Sequence, residues 1–318
     1  MRTFSRLGAL EWLCDTDLAT LDAQAELVSG VRTTTRFSDL LDTDVQALVI
    51  AAPAALHYTY TRAALSAGKD VFVEKPMALR CSEGLELVEL ADSLNRVLMV
   101  GHILQYHPAI VGLHGLVARE ELGQLRYIYS NRLNLGRVRQ EENILWSFAP
   151  HDLSVIISLV GSEPEYVSAT GSSYLQAGIA DVTVTNLRFA NDVASHIFVS
   201  WLHPYKEQLL VLVGERKMAV FNDGLPTGKV RIHDKGIDWQ NGLPVPRRNA
   251  ETVLEVDSAE PLLLECQHFL ECVTRRVRPR TDGASALSVL RVLEASQMSM
   301  DSGGRPVSLA DFSAKAHI

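Results

Sequence analysis

The sequence predicts an α/β protein in two parts: a truncated parallel sheet with crossover helices, then an α/β domain with an open, largely antiparallel sheet. Three observations predict it. Up to about residue 103, short apolar strands alternate with helical stretches, as in a parallel sheet whose strands are joined by helices. From residue 166, strand follows strand across short turns, which implies antiparallel pairing. The chain has 318 residues, too many for one small core. Domains over 1–103 and 104–318 are therefore expected, with the C-terminal helices able to pack back on the first.

In order, residues 10–14 read as a short apolar strand ending at Asp15, and 17–28 as a helix. Residues 34–40 read as a short connection, and 47–51 as a buried strand from its unbroken apolar run. The turn Ala52-Pro53-Ala54-Ala55-Leu56-His57 leads into a helix over 58–67, for which Gly68 suits the C-terminal cap. Residues 70–73 form the next strand, 82–92 a helix and 97–100 another buried strand. In the second part, helices are expected over 108–118, 261–275 and 284–300, and a long strand over 125–133. Residues 136–143 read as a charged loop, and Pro150 as the opening of a helix, where proline is tolerated. Leu153, Ile156, Ile157 and Val160 give that helix a buried stripe. Strands are expected over 167–174, 182–189, 194–201, 208–213, 218–221 and 230–233, whereas 242–248, with Pro244 and Pro246, reads as an irregular loop.

Composition excludes several functions. A net charge of −8 argues against a nucleic-acid partner or an anionic membrane surface. The longest apolar stretch falls far short of a membrane span. Cys14, Cys81, Cys266 and Cys272 have no metal-ligand spacing, so no metal site is expected; scattered thiols suit a reducing, cytoplasmic setting.

The stretch that carries chemistry is Val71-Phe72-Val73-Glu74-Lys75-Pro76. Pro76 disfavours helical backbone at Lys75, so the strand stops and holds a lysine at its carboxyl end. In open α/β sheets that edge is where ligands bind. His151 points away from the buried stripe of its helix and, near the positive helix end, would be a neutral imidazole able to accept a proton. One part of the pattern is missing. A dinucleotide-binding sheet begins with a strand and a Gly-x-Gly-x-x-Gly turn, and no such sequence lies near the N-terminus. An acidic residue for the ribose lies about 20 residues after such glycines. Counting back from Asp15 lands before Met1, so residues 2–8 read as the remainder of the first helix. Without a central strand, either the natural chain begins earlier, or the sheet closes up or borrows a strand, or the N-terminal region is partly disordered.

Ala52-Pro53-x-x-x-His57, Gly68-Lys69-x-Val71-x-Val73-Glu74-Lys75-Pro76, Gly101-His102-x-x-x-Tyr106-x-Pro108 and Ala149-Pro150-His151-Asp152 together resemble the glucose–fructose oxidoreductase/inositol dehydrogenase (Gfo/Idh/MocA) family. Asn143-x-Leu145-Trp146-x-x-Ala149-Pro150-His151-Asp152 is most similar to the bacterial dehydrogenases that oxidise position 3 of UDP-N-acetylated hexoses or hexuronates. The resemblance implies a Rossmann domain and hydride exchange between nicotinamide and a sugar or nucleotide-sugar carbinol. It implies Lys75 and His151 as catalytic acid/base groups. Asp15, Ala52, Pro53, His57, Glu74, Lys75 and Gln105 would lie along the cofactor, and Asn143, Trp146, Lys75 and His151 along the substrate. NAD is favoured over NADP, because Asp15 would repel a 2′-phosphate. A homodimer or homotetramer through the open sheet is implied as well. Two departures stand out. Ser147 replaces the Asp that many relatives carry four residues before the histidine, and the glycine turn is absent, so weakened cofactor binding is expected. The alternative function is a non-catalytic homologue acting as a binding or assembly subunit.

Overall fold

A computed structural model describes residues 1–136 and 138–311. The chain divides into two compact units: Met1–Ile103 with Ala259–Leu287, and Leu104–Ser258 with Ser288–Ile318. Late sequence thus joins the first unit.

The first unit runs α1 (Arg2–Arg6), β1 (Trp12–Cys14), α2 (Leu18–Ala25), β2 (Arg32–Thr34), α3 (Phe37–Leu41), β3 (Ala47–Ile50), α4 (Ala54–Ser66), β4 (Asp70–Glu74), α5 (Cys81–Ser93) and β5 (Leu98–Gly101). Strands β3, β4 and β5 form a parallel sheet with β4 in the middle, while β1 pairs in parallel with β2 alone. The expected single parallel sheet is thus two separate hydrogen-bonded sheets, of two and three strands. The core lies on one face of β3–β5, where Leu48, Ile50, Val71, Val73, Leu98 and Val100 pack with Leu65 of α4 and Leu87 of α5. On the other face, Phe4 of α1 and Phe269 meet Phe72 of β4 edge-on or tilted, at centroid separations of 6.4 and 5.4 Å.

Over 34–40, where a short connection is expected, the structure has the end of β2 and most of α3. Three- and five-residue elements carry too little periodicity to detect; α3 is held by tertiary contact, Phe37 stacking on Tyr60 at 4.2 Å. Helix α4 starts at Ala54, earlier than the expected residue 58, with Pro53 as its N-cap.

After a 3-10 turn (Ile103–Tyr106), the second unit contains α6 (Pro108–Ala118), β6 (Leu125–Leu135), α7 (Ile144–Val160), β7 (Tyr166–Ser172), β8 (Val182–Arg188), β9 (Ala194–Ser200), β10 (Leu202–Gly214), β11 (Met218–Asn222), β12 (Val230–Gln240) and β13 (Leu243–Leu254). There follow α8 (Pro261–Arg275), which belongs to the first unit, then α9 (Gly283–Asp301) and β14 (Val307–Ser308). One nine-stranded sheet has the order β13-β12-β11-β10-β6-β9-β8-β7-β14, antiparallel except for the β6–β9 pair.

Two expectations are corrected here. Residues 243–254 are a strand rather than a loop, opposite β12 with Pro244 across from Trp239 and Pro246 across from Ile237. β13 is a sheet edge, and prolines two residues apart turn the same side outward, so neither interrupts the ladder. Pro150 lies inside α7 instead of opening it. Asn143 supplies the cap, its side-chain oxygen accepting from the Trp146 N–H at 3.3 Å, so the helix begins at Ile144 and Pro150 forgoes one backbone bond within it. The loop between β6 and α7 includes Arg137, which is outside the described residues.

Candidate active site

In the first unit the site is built at the carboxyl end of β4. Glu74 pairs in register with Gly101 of β5, and Lys75 follows, half-buried, before a cis peptide to Pro76. Burial raises the Glu74 carboxyl above its ordinary range. The Lys75 charge, the Lys75 backbone N–H and His57 act in the opposite direction. A methyl group on Gly101 would lie 2.8 Å from Glu74 Oε2 and 3.4 Å from its Cα, so only glycine leaves that carboxylate its place. Gly101→Ala is therefore expected to push the carboxylate aside and to cost about 1–3 kcal/mol of stability, as overpacking does. Thermal unfolding checks this, and an unchanged midpoint would mean that the strand end is looser than it looks.

His102, two residues from the β5 core, is almost fully buried with no partner at Nδ1. Burial and then the nearby Lys75 charge push its pKa down to about 4, so the ring stays neutral through the physiological range. The electrostatic link of His102 to Lys75 is not legible in the sequence, because nothing in the spacing reveals which charges share a low-dielectric pocket.

The expected cofactor residues divide. Asp15 is exposed just beyond β1, one carboxylate oxygen accepting from the Asp17 N–H at 2.9 Å. Ala52 is half-buried and Pro53 exposed, both at the turn that starts α4. His57 is buried, with Nδ1 2.7 Å from the Pro76 carbonyl and Nε2 2.8 Å from the Ala52 carbonyl. Both ring nitrogens are used, so His57 ties the β3 turn to the Lys75-Pro76 turn instead of offering a nitrogen to a cofactor. For NAD, the fit is partial. Asp15 suits a ribose and the β4 end suits the nicotinamide side, but among the described residues neither first-unit sheet carries a strand with a Gly-x-Gly-x-x-Gly turn to meet a pyrophosphate.

In the second unit, Gln105 is buried and donates from Nε2 to the Ser154 carbonyl at 2.7 Å and to Ser158 Oγ at 2.8 Å, so that amide nitrogen holds the 3-10 turn against α7 rather than facing a cofactor. His151 is half-buried on α7, seven residues after Ile144. That is about two turns into the helix, where the dipole of the N-terminus no longer acts, so the dipole argument for its neutral form is withdrawn. Asn143 and Trp146 are brought together by a residue not singled out from sequence: Gln297 Oε1 accepts from Asn143 Nδ2 at 2.9 Å and from Trp146 Nε1 at 3.2 Å. Asp152, next along α7, is buried. Its carboxylate takes Arg132 Nε at 2.6 Å, Arg132 Nη2 at 3.1 Å and Ser130 Oγ at 2.6 Å, locking α7 onto β6 beside His151. Among the described residues no group of three or more His, Cys, Asp or Glu could hold a metal ion.

Residues 2–102 match the family profile described as an oxidoreductase family with an NAD-binding Rossmann fold, and residues 111–220 match the GFO/IDH/MocA C-terminal domain. The chain belongs to the Gfo/Idh/MocA oxidoreductase family. Among its relatives is the UDP-N-acetylglucosamine 3-dehydrogenase of Acidithiobacillus ferrooxidans, 27% identical over 257 residues, covering 79% of this chain and 78% of the relative. A solved structure of that enzyme superposes with a TM-score of 0.83 at 21% identity, over 95% of this chain and 93% of the other. A levoglucosan dehydrogenase in complex with NADH and levoglucosan reaches 0.82 at 17% identity, over 94% and 90% of the two chains. An Agrobacterium radiobacter oxidoreductase with NAD+, L-tartaric acid and magnesium reaches 0.79 at 18%, over 95% and 91%. At these identities the superpositions establish the shared fold. With the family established, the parallel-sheet unit is its Rossmann-type domain, and the predicted α/β class with a parallel and a largely antiparallel sheet is what the structure shows.

Proposed function

We propose that this protein is an NAD-dependent oxidoreductase that interconverts a secondary alcohol and a ketone on a sugar or nucleotide sugar. The observation that carries the reading is Lys75. It is a half-buried amine at the carboxyl end of the central strand β4, flanked by the Glu74 carboxyl and a neutral His102. Bound NAD would take up the hydride from the carbinol carbon. Lys75 binds the reacting hydroxyl and, as the neutral amine that a positively charged nicotinamide beside it would favour, would take up its proton to become the ammonium; His151 is the second acid/base group, and Asn143 and Trp146, joined through Gln297, orient the sugar or its nucleotide. The UDP-N-acetylglucosamine dehydrogenase and the levoglucosan dehydrogenase support a sugar as substrate. Asp15 accepts from the adenosine ribose hydroxyls and repels a 2′-phosphate.

Calorimetric titration tests this directly. NAD+ is expected to bind at least about tenfold more tightly than NADP+, a difference of about 1.4 kcal/mol, and Asp15→Ala to narrow that ratio. Equal affinity for the two nucleotides would remove Asp15 from the site.

A second reading is favoured by a specific observation: the first unit holds two separate sheets, and among the described residues neither carries a Gly-x-Gly-x-x-Gly turn to cradle a pyrophosphate. On that reading the chain is a non-catalytic homologue that serves as a binding or assembly subunit. No heat with either nucleotide would select it. For either reading we infer a homodimer or homotetramer. Ser130 and Arg132 of β6 face Asp152 on α7, so Tyr127 and Tyr129 lie on the opposite sheet face with His196 stacked on Tyr129 at 5.3 Å, a ring-rich surface suited to a second copy. Four free cysteines, and no helix among the described residues long and apolar enough to cross a membrane, support a cytoplasmic setting.

A further inference from the structure

The first unit holds a second buried carboxyl that the proposed chemistry does not use. Glu265 on α8 is 1% exposed, and its Oε1 has no hydrogen-bond partner. The same helix face buries Cys266, Phe269 and Cys272, where a carboxyl without a partner is costly.

Its position follows from the register of α8 against β4. Arg276, just past the helix, donates to Asp70 at the start of the strand at 2.6 Å. Phe269, seven residues earlier, packs on Phe72. Side chains alternate along a strand, so Asp70, Phe72 and Glu74 share one face. The helix and strand therefore run antiparallel, and Glu265, one helical turn before Phe269, stands over Glu74. Two charged carboxylates there would repel in a site that excludes water.

We propose that Glu265 is a positioning residue for the strand end that carries Lys75: a buried carboxyl that keeps its own proton, so that the pair carries a single negative charge, on Glu74 beside the lysine. Its bearing on catalysis rests on the dehydrogenase reading above; the retained proton does not. Burial and the Glu74 charge push Glu265 up to about 8, whereas Glu74 is drawn back by Lys75 and by His57 on α4. Cys266, next along α8, is pushed up to about 12 by burial and by Glu265 and stays a thiol. The Met1 ammonium and Glu260 act on that thiol in opposite directions.

The test is a carboxyl-carbon NMR titration of the full chain labelled on glutamate, from about pH 4 to pH 9, without nucleotide or sugar. One glutamate resonance is expected to titrate above about pH 6, to vanish in Glu265→Gln, and to move down by about one unit in Glu74→Gln, as coupled groups require. In Glu265→Gln, the Glu74 midpoint is expected to stay where it is, because glutamine stands in for the neutral acid. Glu265 titrating with the exposed glutamates near pH 4, or a midpoint indifferent to Glu74→Gln, overturns the proposal. Wild type and Glu74→Gln decide the matter even if Glu265→Gln does not fold. Because no cofactor is added, failure of the dehydrogenase reading would appear in the nucleotide titration and not here.

Discussion

Asp152→Ala is expected to destabilise the second unit by about 3–5 kcal/mol, because it strands the Arg132 guanidinium in the interior. The pair is well buried, with side-chain exposures of 10% for Arg132 and 5% for Asp152, and its geometry is bidentate. The favourable Coulomb energy of the intact pair offsets the desolvation of both charges; removing one partner leaves the other's desolvation uncompensated. Chemical denaturation monitored through Trp201, fully buried in the same unit, reads the change as a lower midpoint at unchanged slope. Replacing both partners at once with apolar residues of similar volume, Asp152→Leu with Arg132→Met, should recover most of the loss. A loss within about 0.5 kcal/mol for the single variant, the size of an ordinary surface substitution, would contradict the buried ion pair.

Lys75→Met is expected to lower turnover of a sugar substrate by about 10²- to 10⁴-fold, the usual contribution of a positioned general acid/base. The side chain keeps much of its length and apolar stem, so NAD+ affinity should change only severalfold. That split separates a proton-transfer role from a merely structural one, which would alter binding and stability together. The neighbouring His102 does not confuse the measurement. Its imidazole is already neutral above about pH 4, so a limb in the rate profile near neutrality does not originate there. Full activity in Lys75→Met would remove the amine from the chemistry and leave His151 alone to move the proton.

The strand end that carries Lys75 was legible in the sequence because its signals are local. Pro76 ends β4 after Lys75 whatever surrounds it, and alternation of apolar strands with helices marks the parallel sheet. The roles of neighbours were not legible. The resemblance places His57 and Gln105 along the cofactor, yet the His57 ring meets the Ala52 and Pro76 carbonyls, and the Gln105 amide nitrogen meets a carbonyl and a serine of α7. Asp152 reads as a first-turn acid only if the helix starts at Pro150; a cap seven residues earlier, from Asn143, moves it into the interior of the helix and of the fold.

By itself, the sequence determined most of the strands and helices, the lysine at a strand terminus and the family, since these are written in short stretches through periodicity and backbone sterics. Only the tertiary structure decided that the first-unit strands form two sheets, that α8 joins that unit and buries Glu265 there, and that Arg132 meets Asp152. These depend on which distant surfaces exclude water together, and burial, which sets the cost of every charge, is a property of the packed chain.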